Sequence, residues 1–304
     1  MTEERKMPGL IVRAQSGFFH VETDEGIVVA ELRGRLTKER METDAAALGD
    51  QVWVQVHADG TATIEAVEER RRVLSRRSPG KIEVEQVIVA NPDQLIFVFA
   101  CADPDPNFRM LDRLLVVAER EGIPAIVCAN KIDLVTRRSA RAEFGEYKRL
   151  GYRVIYTSAL YGKGIRGLRK ILRGKISVFA GPSGAGKTSL LNAVQPGLDL
   201  ETKEISEATR KGQHSTVVPK LIPLRRGGYI ADTPGLKAFA LWDIEPEEVD
   251  AYFPEMRQLV AECDFSDCTH EHEPGCAVIA AVEAGKISPE RYDSYLRIRH
   301  GEVE

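Results

Sequence analysis

Cysteine is scarce in this chain. There are five in 304 residues, and the odd count excludes a framework in which every thiol is bridged. No apolar run exceeds Leu95 to Ala102, far short of the roughly 20 residues that cross a bilayer, so no membrane partner is expected. Met1 to Lys6 alternate acid and base with no apolar segment behind them. No secretory signal is therefore expected, and a cytoplasmic location follows. Positive charge is not in excess either: 42 Lys and Arg face 46 Asp and Glu, a net charge of −4. That excludes a protein that binds nucleic acid over most of its surface and confines any such contact to local basic clusters. What remains, 43% hydrophobic and 29% charged residues, is an ordinary globular balance. It excludes wholesale disorder, and the length accommodates two or three domains.

The first domain is expected at 1–72. Short runs alternate in period two: Leu10–Val12, Phe18–Val21, Ile27–Val29, Val52–Val56 and Thr63–Val67, separated by turn residues such as Asp59-Gly60. Five strands in some sixty residues fit a small antiparallel barrel of the oligonucleotide-binding (OB) type, with Trp53, Phe18 and Phe19 read as core ahead of the alternative, stacking platforms. A charged stretch, Glu68–Arg72 and then Arg76-Arg77-Ser78-Pro79-Gly80, marks a linker, placed at 73–82. It is either a solvated hinge or a phosphate-contacting arm. Candidate RNA contacts are Arg33, Arg35 and Arg70–Arg72.

From 83 to 241 the pattern becomes α/β. Apolar strands at Gln86–Ala90, Leu95–Ala102, Ala125–Ala129, Val154–Thr157, Ile176–Ala180, Leu221–Leu224 and Tyr229–Ala231 alternate with helical stretches such as Leu111–Arg120 and Arg166–Leu172. Between one such strand and a helix lies Gly181-Pro182-Ser183-Gly184-Ala185-Gly186-Lys187-Thr188, followed by Ser189. This is a P-loop. Its glycines turn backbone N–H groups toward phosphates, Lys187 reaches the β- and γ-phosphates, and the Thr188 hydroxyl ligates Mg²⁺. The base is chosen elsewhere. Asn130-Lys131-Ile132-Asp133 ends a buried strand; a carboxylate in the base plane accepts from guanine N1–H and N2–H₂ together, a pair adenine does not offer. Asn130 is expected on the N7/O6 side, with the Lys131 stem on the ring. Thr157-Ser158-Ala159 ends the next strand, with the Ala159 N–H expected to donate to O6. GTP is therefore the expected nucleotide.

Asp232-Thr233-Pro234-Gly235 supplies a D-x-x-G element, with Asp232 toward Mg²⁺ and the Gly235 N–H toward the γ-phosphate. Between it and the P-loop, Lys211–Thr216 occupies the place of a first switch. Thr216 is the chosen Mg²⁺ ligand, with Thr209 and Ser215 as rivals. The base-reading motifs precede the P-loop, the reverse of the usual order, which a circular permutation through surface loops explains. Leu236 stands where Ras-like enzymes hold a water-orienting glutamine. Beyond it, Cys263, Cys268 and Cys276 lie within fourteen residues that also hold His270 and His272. Three thiolates and one imidazole describe a closed structural Zn²⁺ site in a small helical domain, placed at 242–304.

A permuted GTPase behind a small barrel and before a Cys/His cluster resembles the ribosome-small-subunit-dependent GTPase A (RsgA) family over nearly the whole chain. The residues that carry the likeness include Leu48-Gly49-Asp50, Ala90-Asn91-Pro92-Asp93-Gln94, Leu111-Asp112-Arg113, Gly212–Thr216 and the motifs above. Ser215 departs from the family's first switch threonine, and Ala185 and Thr188 from its commoner valine and serine. The resemblance implies a multidomain α/β protein: an OB-type barrel, a circularly permuted P-loop GTPase domain and a C-terminal zinc-binding helical domain. It implies GTP hydrolysis stimulated by the 30S subunit, contact with 16S rRNA during late maturation, and a monomer. It assigns His270 rather than His272 to the zinc and gives His214 a part in hydrolysis beside Lys187 and Thr216. Two other classes share the P-loop: an rRNA-binding assembly factor with vestigial turnover, and a P-loop kinase, against which Asn130–Asp133 argues.

Overall fold

The structure, a computed structural model, describes residues 5–34, 44–77, 85–198, 219–232 and 244–302. Five strands come first: β1 (Arg5–Gln15), β2 (Phe18–Thr23), β3 (Gly26–Leu32), β4 (Gln51–Val56) and β5 (Ala62–Val67). After β6 (Val73–Arg77), β7 (Glu85–Ala90) and β8 (Gln94–Ala100), strands alternate with helices: α1 (Phe108–Arg120), β9 (Ala125–Asn130), α2 (Arg137–Arg149), β10 (Arg153–Tyr156), α3 (Ile165–Leu172), β11 (Ile176–Ala180) and α4 (Lys187–Val194). Then come β12 (Lys220–Pro223), β13 (Tyr229–Asp232) and two helices, α5 (Ala277–Glu283) and α6 (Pro289–Arg299), preceded by short turns at Pro246–Tyr252, Pro254–Arg257 and Val260–Glu262.

These elements fall into two compact units, one of 1–95, 168–179 and 203–238, the other of 96–167, 180–202 and 239–304. In the first, β1 pairs with β4 through its first half and with β2 through its second, around a bulge at Ile11/Arg13. The parallel β3–β5 pair and the antiparallel β4–β5 pair complete the circuit β1-β2-β3-β5-β4, so five strands close into a barrel with no free edge. Ile11, Phe19, Val21, Val52, Val54 and Ile64 fill it. Phe18 departs from the expected core: it is 48% exposed, because period two turns it outward when Phe19 turns in. Trp53 is half-buried, with Lys6 Nζ 5.6 Å from its ring centre.

The expected linker is partly a strand. Val73–Arg77 pair with β7, and Leu74 is fully buried. Nor is Arg70 a free RNA contact. Its Nε and Nη2 donate to both oxygens of the fully buried Asp50, each at 2.8 Å, and Nη2 also donates to the Asp44 carbonyl. Arg33 pairs with Glu65, and Arg35 lies outside the described residues. The Ala90–Gln94 motif acts as a bracket. Asn91 accepts from Arg71 N and donates to Gly49 O; Asp93 accepts from Ile176 N at 2.8 Å; Gln94 donates to Ile171 O and Ser177 Oγ. Gly49 has φ +90°, and a Cβ there would stand 2.2 Å from Ala90 O, so only glycine fits. Thus the motif fixes the base of β11, the strand that ends at the P-loop. β11 runs parallel to β13, which pairs antiparallel with β12.

In the second unit β9 lies between β8 and β10, parallel to β10. The core of the C-terminal region (Val249, Phe253, Met256, Val278, Tyr295) includes Val116 of α1. Asp112, one turn earlier on α1, accepts from Arg291 Nη1 at 2.7 Å and from the Tyr147 hydroxyl at 2.8 Å. Arg291 also donates to Glu255 at 2.7 Å and lies over the Phe253 ring. Burial opposes its charge, but the two carboxylates outweigh that and hold the guanidinium protonated.

Candidate functional site

The P-loop leaves β11 at Ala180 and enters α4 at Lys187, with Gly186 at the helix N-cap in left-handed conformation, φ +86°. A Cβ on Gly186 would come within 2.6 Å of Asn130 Nδ2. Lys187 Nζ donates to the carbonyls of Gly181 and Pro182, both at 2.7 Å. Ser183, Gly184 and Ser189 are exposed, Thr188 is half-buried, and Ala185 is fully buried. The small Ala185 packs inward while Ser183, Gly184 and Ser189 stay open.

Asn130 has a task the sequence reading had not assigned. It is buried; its amide donates to Ala185 O at 2.9 Å and its carbonyl accepts from Thr157 Oγ1 at 3.0 Å. One side chain thereby staples three loops: the base-reading loop, the P-loop and the end of β10. Lys131, at φ +57°, lies along the pocket edge and donates to the Asp103 carbonyl. Pro104 flanks the phosphate loop, since a Cβ on Gly184 would lie 3.1 Å from its ring. Ile132 N donates to Thr157 O, which sets Asp133, half-buried, beside the Thr157–Ala159 loop. That loop is closed by Ser158 N donating to Lys163 O at 3.0 Å, and Ser158 Oγ accepts from Tyr161 N. Ala159 is half-buried on it. Cys101, just past β8, and Cys128, within β9, are buried, and burial pushes both thiols up to about 12. They are inert packing residues.

Asp232 ends β13 opposite Lys220 and is half-buried. His214, Thr216, their rivals Thr209 and Ser215, and Gly235 with Leu236 lie outside the described residues.

The structure brings Cys263, Cys268, His270 and Cys276 together, with all four donor atoms within 4.8 Å of one another. His270 Nδ1 is 3.3 Å from Cys276 Sγ and 3.6 Å from Cys263 Sγ, and those sulfurs are 3.9 Å apart. A tetrahedral Zn²⁺ with its usual bond lengths needs edges of about 3.5 and 3.8 Å. The cluster therefore fits a zinc site. His272 is exposed and outside it. Asp250, which sequence reasoning missed, accepts from His270 Nε2 at 3.2 Å. It fixes the tautomer whose Nδ1 lone pair would face a metal held by the four. Tyr292 and Tyr295 donate to the carbonyls of His270 and Thr269, and Cys276 also caps α5. Nothing local in the sequence signals Asp250, which lies twenty residues before His270.

The RsgA GTPase profile matches residues 67–242, and the RsgA N-terminal domain profile matches 8–64. The small ribosomal subunit biogenesis GTPase RsgA of Gemmatimonas aurantiaca is 46% identical over 294 residues, covering 96% of each chain. Its counterpart in Moorella thermoacetica is 43% identical over 95% of each. Among solved structures, YjeQ from Thermotoga maritima superposes with a TM-score of 0.82 at 35% identity, covering 98% of this chain and 99% of that one. YloQ, described as a circularly permuted GTPase, gives 0.77 at 31%, covering 98% and 95%. With its motifs in permuted order and full-length relatives on every side, this chain belongs to the RsgA family of circularly permuted GTPases.

Proposed function

We propose that this chain is a cytoplasmic GTPase that binds the 30S subunit and its 16S rRNA, acts in small-subunit maturation, and works as a monomer. One observation carries the guanine-nucleotide reading: Asn130 is hydrogen-bonded at once to Thr157 and to the P-loop carbonyl of Ala185. A base-reading loop stapled to a phosphate-holding loop binds one nucleotide at both ends. Asp133 selects guanine, and Ser158 and Ala159 present the loop against O6. Gly181 to Ser189 cradle the phosphates, with Lys187 on the β- and γ-oxygens. The hydroxyl and carboxylate oxygens of Thr188, Thr216 and Asp232 suit a hard cation and would hold Mg²⁺, which supplies charge neutralisation to the phosphates. Gly235 senses the γ-phosphate. The ribosomal role comes from the relatives, whose names assign them to small-subunit biogenesis. Among the described residues no helix is long and apolar enough to cross a membrane. Cys263, Cys268, His270 and Cys276 would hold one structural zinc.

Hydrolysis needs a water held in line with the γ-phosphate, and Leu236 removes the usual side chain for that. His214, two residues from Thr216, takes the task by accepting a hydrogen bond from the water. His214→Ala should slow turnover roughly 100-fold with GTP affinity little changed. Base choice is tested separately. Asp133→Asn should exchange GTP preference for xanthosine triphosphate, whose N2-side oxygen accepts from the new amide; retained GTP preference in competition would overturn the role of Asp133. GTP turnover with and without purified 30S particles decides between an enzyme and a GTP-liganded scaffold.

A further inference from the structure

The chain is acidic as a whole, yet residues 134–167 carry eight Lys and Arg against two Glu. Five of these bases stand on α2, Lys163 stands on the loop that closes the guanine side of the pocket, and Arg166 opens α3. Arg137, Arg138, Arg141, Lys163 and Arg166 are all exposed, and none forms an ion pair among the described residues. Large apolar side chains stand out among them: Leu134 is 51% exposed, Leu160 77% and Tyr161 67%. The loop that carries the last two is rigidly based, since Ser158 and Lys163 bridge across it, and Lys163 Nζ lies 5.8 Å from the Tyr161 ring centre. Ile132 N to Thr157 O ties this loop to the one bearing Leu134, and Arg141 acts electrostatically on Tyr156. The loop bearing Leu134, the loop bearing Tyr161 and the first half of α2 thus adjoin one another beside Asp133.

Exposed guanidinium groups on one helix, with a solvent-facing aromatic ring and its lysine on the loop beside it, suit a polyanion that offers both phosphates and unstacked bases. An acidic protein surface would use the arginines but leave Tyr161 and Leu160 without a purpose. We infer that this face, formed by the first half of α2 and the Leu160–Lys163 loop, docks RNA, with the arginines on the backbone and Tyr161 stacking a base. The inference rests on the ribosomal reading above and adds a consequence. The loops that read guanine lie beneath the docked RNA, so docking holds the base pocket shut and slows nucleotide exchange.

The test uses the full-length protein, fluorescent GDP, purified 30S particles and deproteinised small-subunit rRNA. Arg137, Arg138 and Arg141 changed together to Glu should lower affinity for both particle and naked rRNA by roughly 30-fold at moderate salt and flatten the salt dependence. The same positions changed to Gln should show a smaller loss in the same direction. Tyr161→Ala should cost roughly 5-fold. Wild-type GDP release should slow on the 30S particle, and release from the Glu variant should not. GTP binding by the free Glu variant should match wild type, which also reports its folding. Wild-type affinity in the Glu and Gln variants would overturn the proposal. So would loss of particle binding with naked rRNA binding intact, which would assign the face to a ribosomal protein. A wild type that binds rRNA through these arginines but shows no 30S-stimulated turnover would support the face while overturning the ribosomal GTPase reading.

Discussion

The nucleotide pocket and the Cys3His cluster belong to the same compact unit and are built on opposite principles. The pocket is made of main chain: a glycine at positive φ on the helix cap, carbonyls that take up Lys187, and an asparagine whose bonds go to one backbone oxygen and one hydroxyl. The cluster is made of side chains, four of them converging on a point and a fifth, Asp250, orienting one of the four. Backbone geometry is inherited from the strand and helix it joins, so the pocket's framework stands before the Asn130 bonds tie its loops together. A cluster held by donors alone has no such reserve. Four thiol and imidazole groups crowded together oppose folding until a metal joins them.

Substitutions break this contrast in a definite order. Cys268→Ser should abolish zinc, and with it roughly 10 kcal/mol of metal-linked folding energy. Hydrogen exchange should show residues 244–302 losing protection while the P-loop still binds GTP; a protected, zinc-free C-terminal region would refute the assignment. Asp112→Ala comes next. It leaves Arg291 buried with Glu255 alone and should cost about 3–5 kcal/mol in denaturant unfolding. Gly186→Ala attacks the main-chain site instead. The strain of φ +86° and the contact with Asn130 should weaken GTP binding roughly 10–100-fold by calorimetry, with zinc content unchanged. Asp250→Ala is the mildest. Losing the group that orients His270 should raise the zinc dissociation constant roughly 10-fold in a chelator competition, with the fold retained at saturating zinc.

The part of the molecule that was legible in its sequence is the part encoded locally. The apolar runs became β7 to β13 with shifts of a residue or two, and Gly181–Thr188 sits where strand meets helix, because both signals lie within a few neighbours. Helix α2 left a faint trace, since only Ala140, Phe144 and Tyr147 face the interior among many charges. Strand β6 was hidden by its arginines; Leu74 alone supplies its buried side. The pairing of Asp112 with Arg291 spans 179 positions, and that of Arg70 with Asp50 spans 20. No periodicity announces such partners. Arg70 is the instructive case, for a basic cluster in sequence became, in space, one internal latch and its neighbours.

Helix α1 has a mechanical consequence. Its thirteen residues form a stiff rod about 20 Å long. The loop entering it holds Asp103 and Pro104 against Lys131 and Gly184, while Asp112 and Val116 on its flank grip the region of the Cys3His cluster. A tilt of about 5° at the entering end carries Val116, about 12 Å along the rod, through about 1 Å. The region of the Cys3His cluster is therefore mounted on a lever whose short arm rests on the nucleotide loops, and it can register the shape of the pocket without touching the nucleotide.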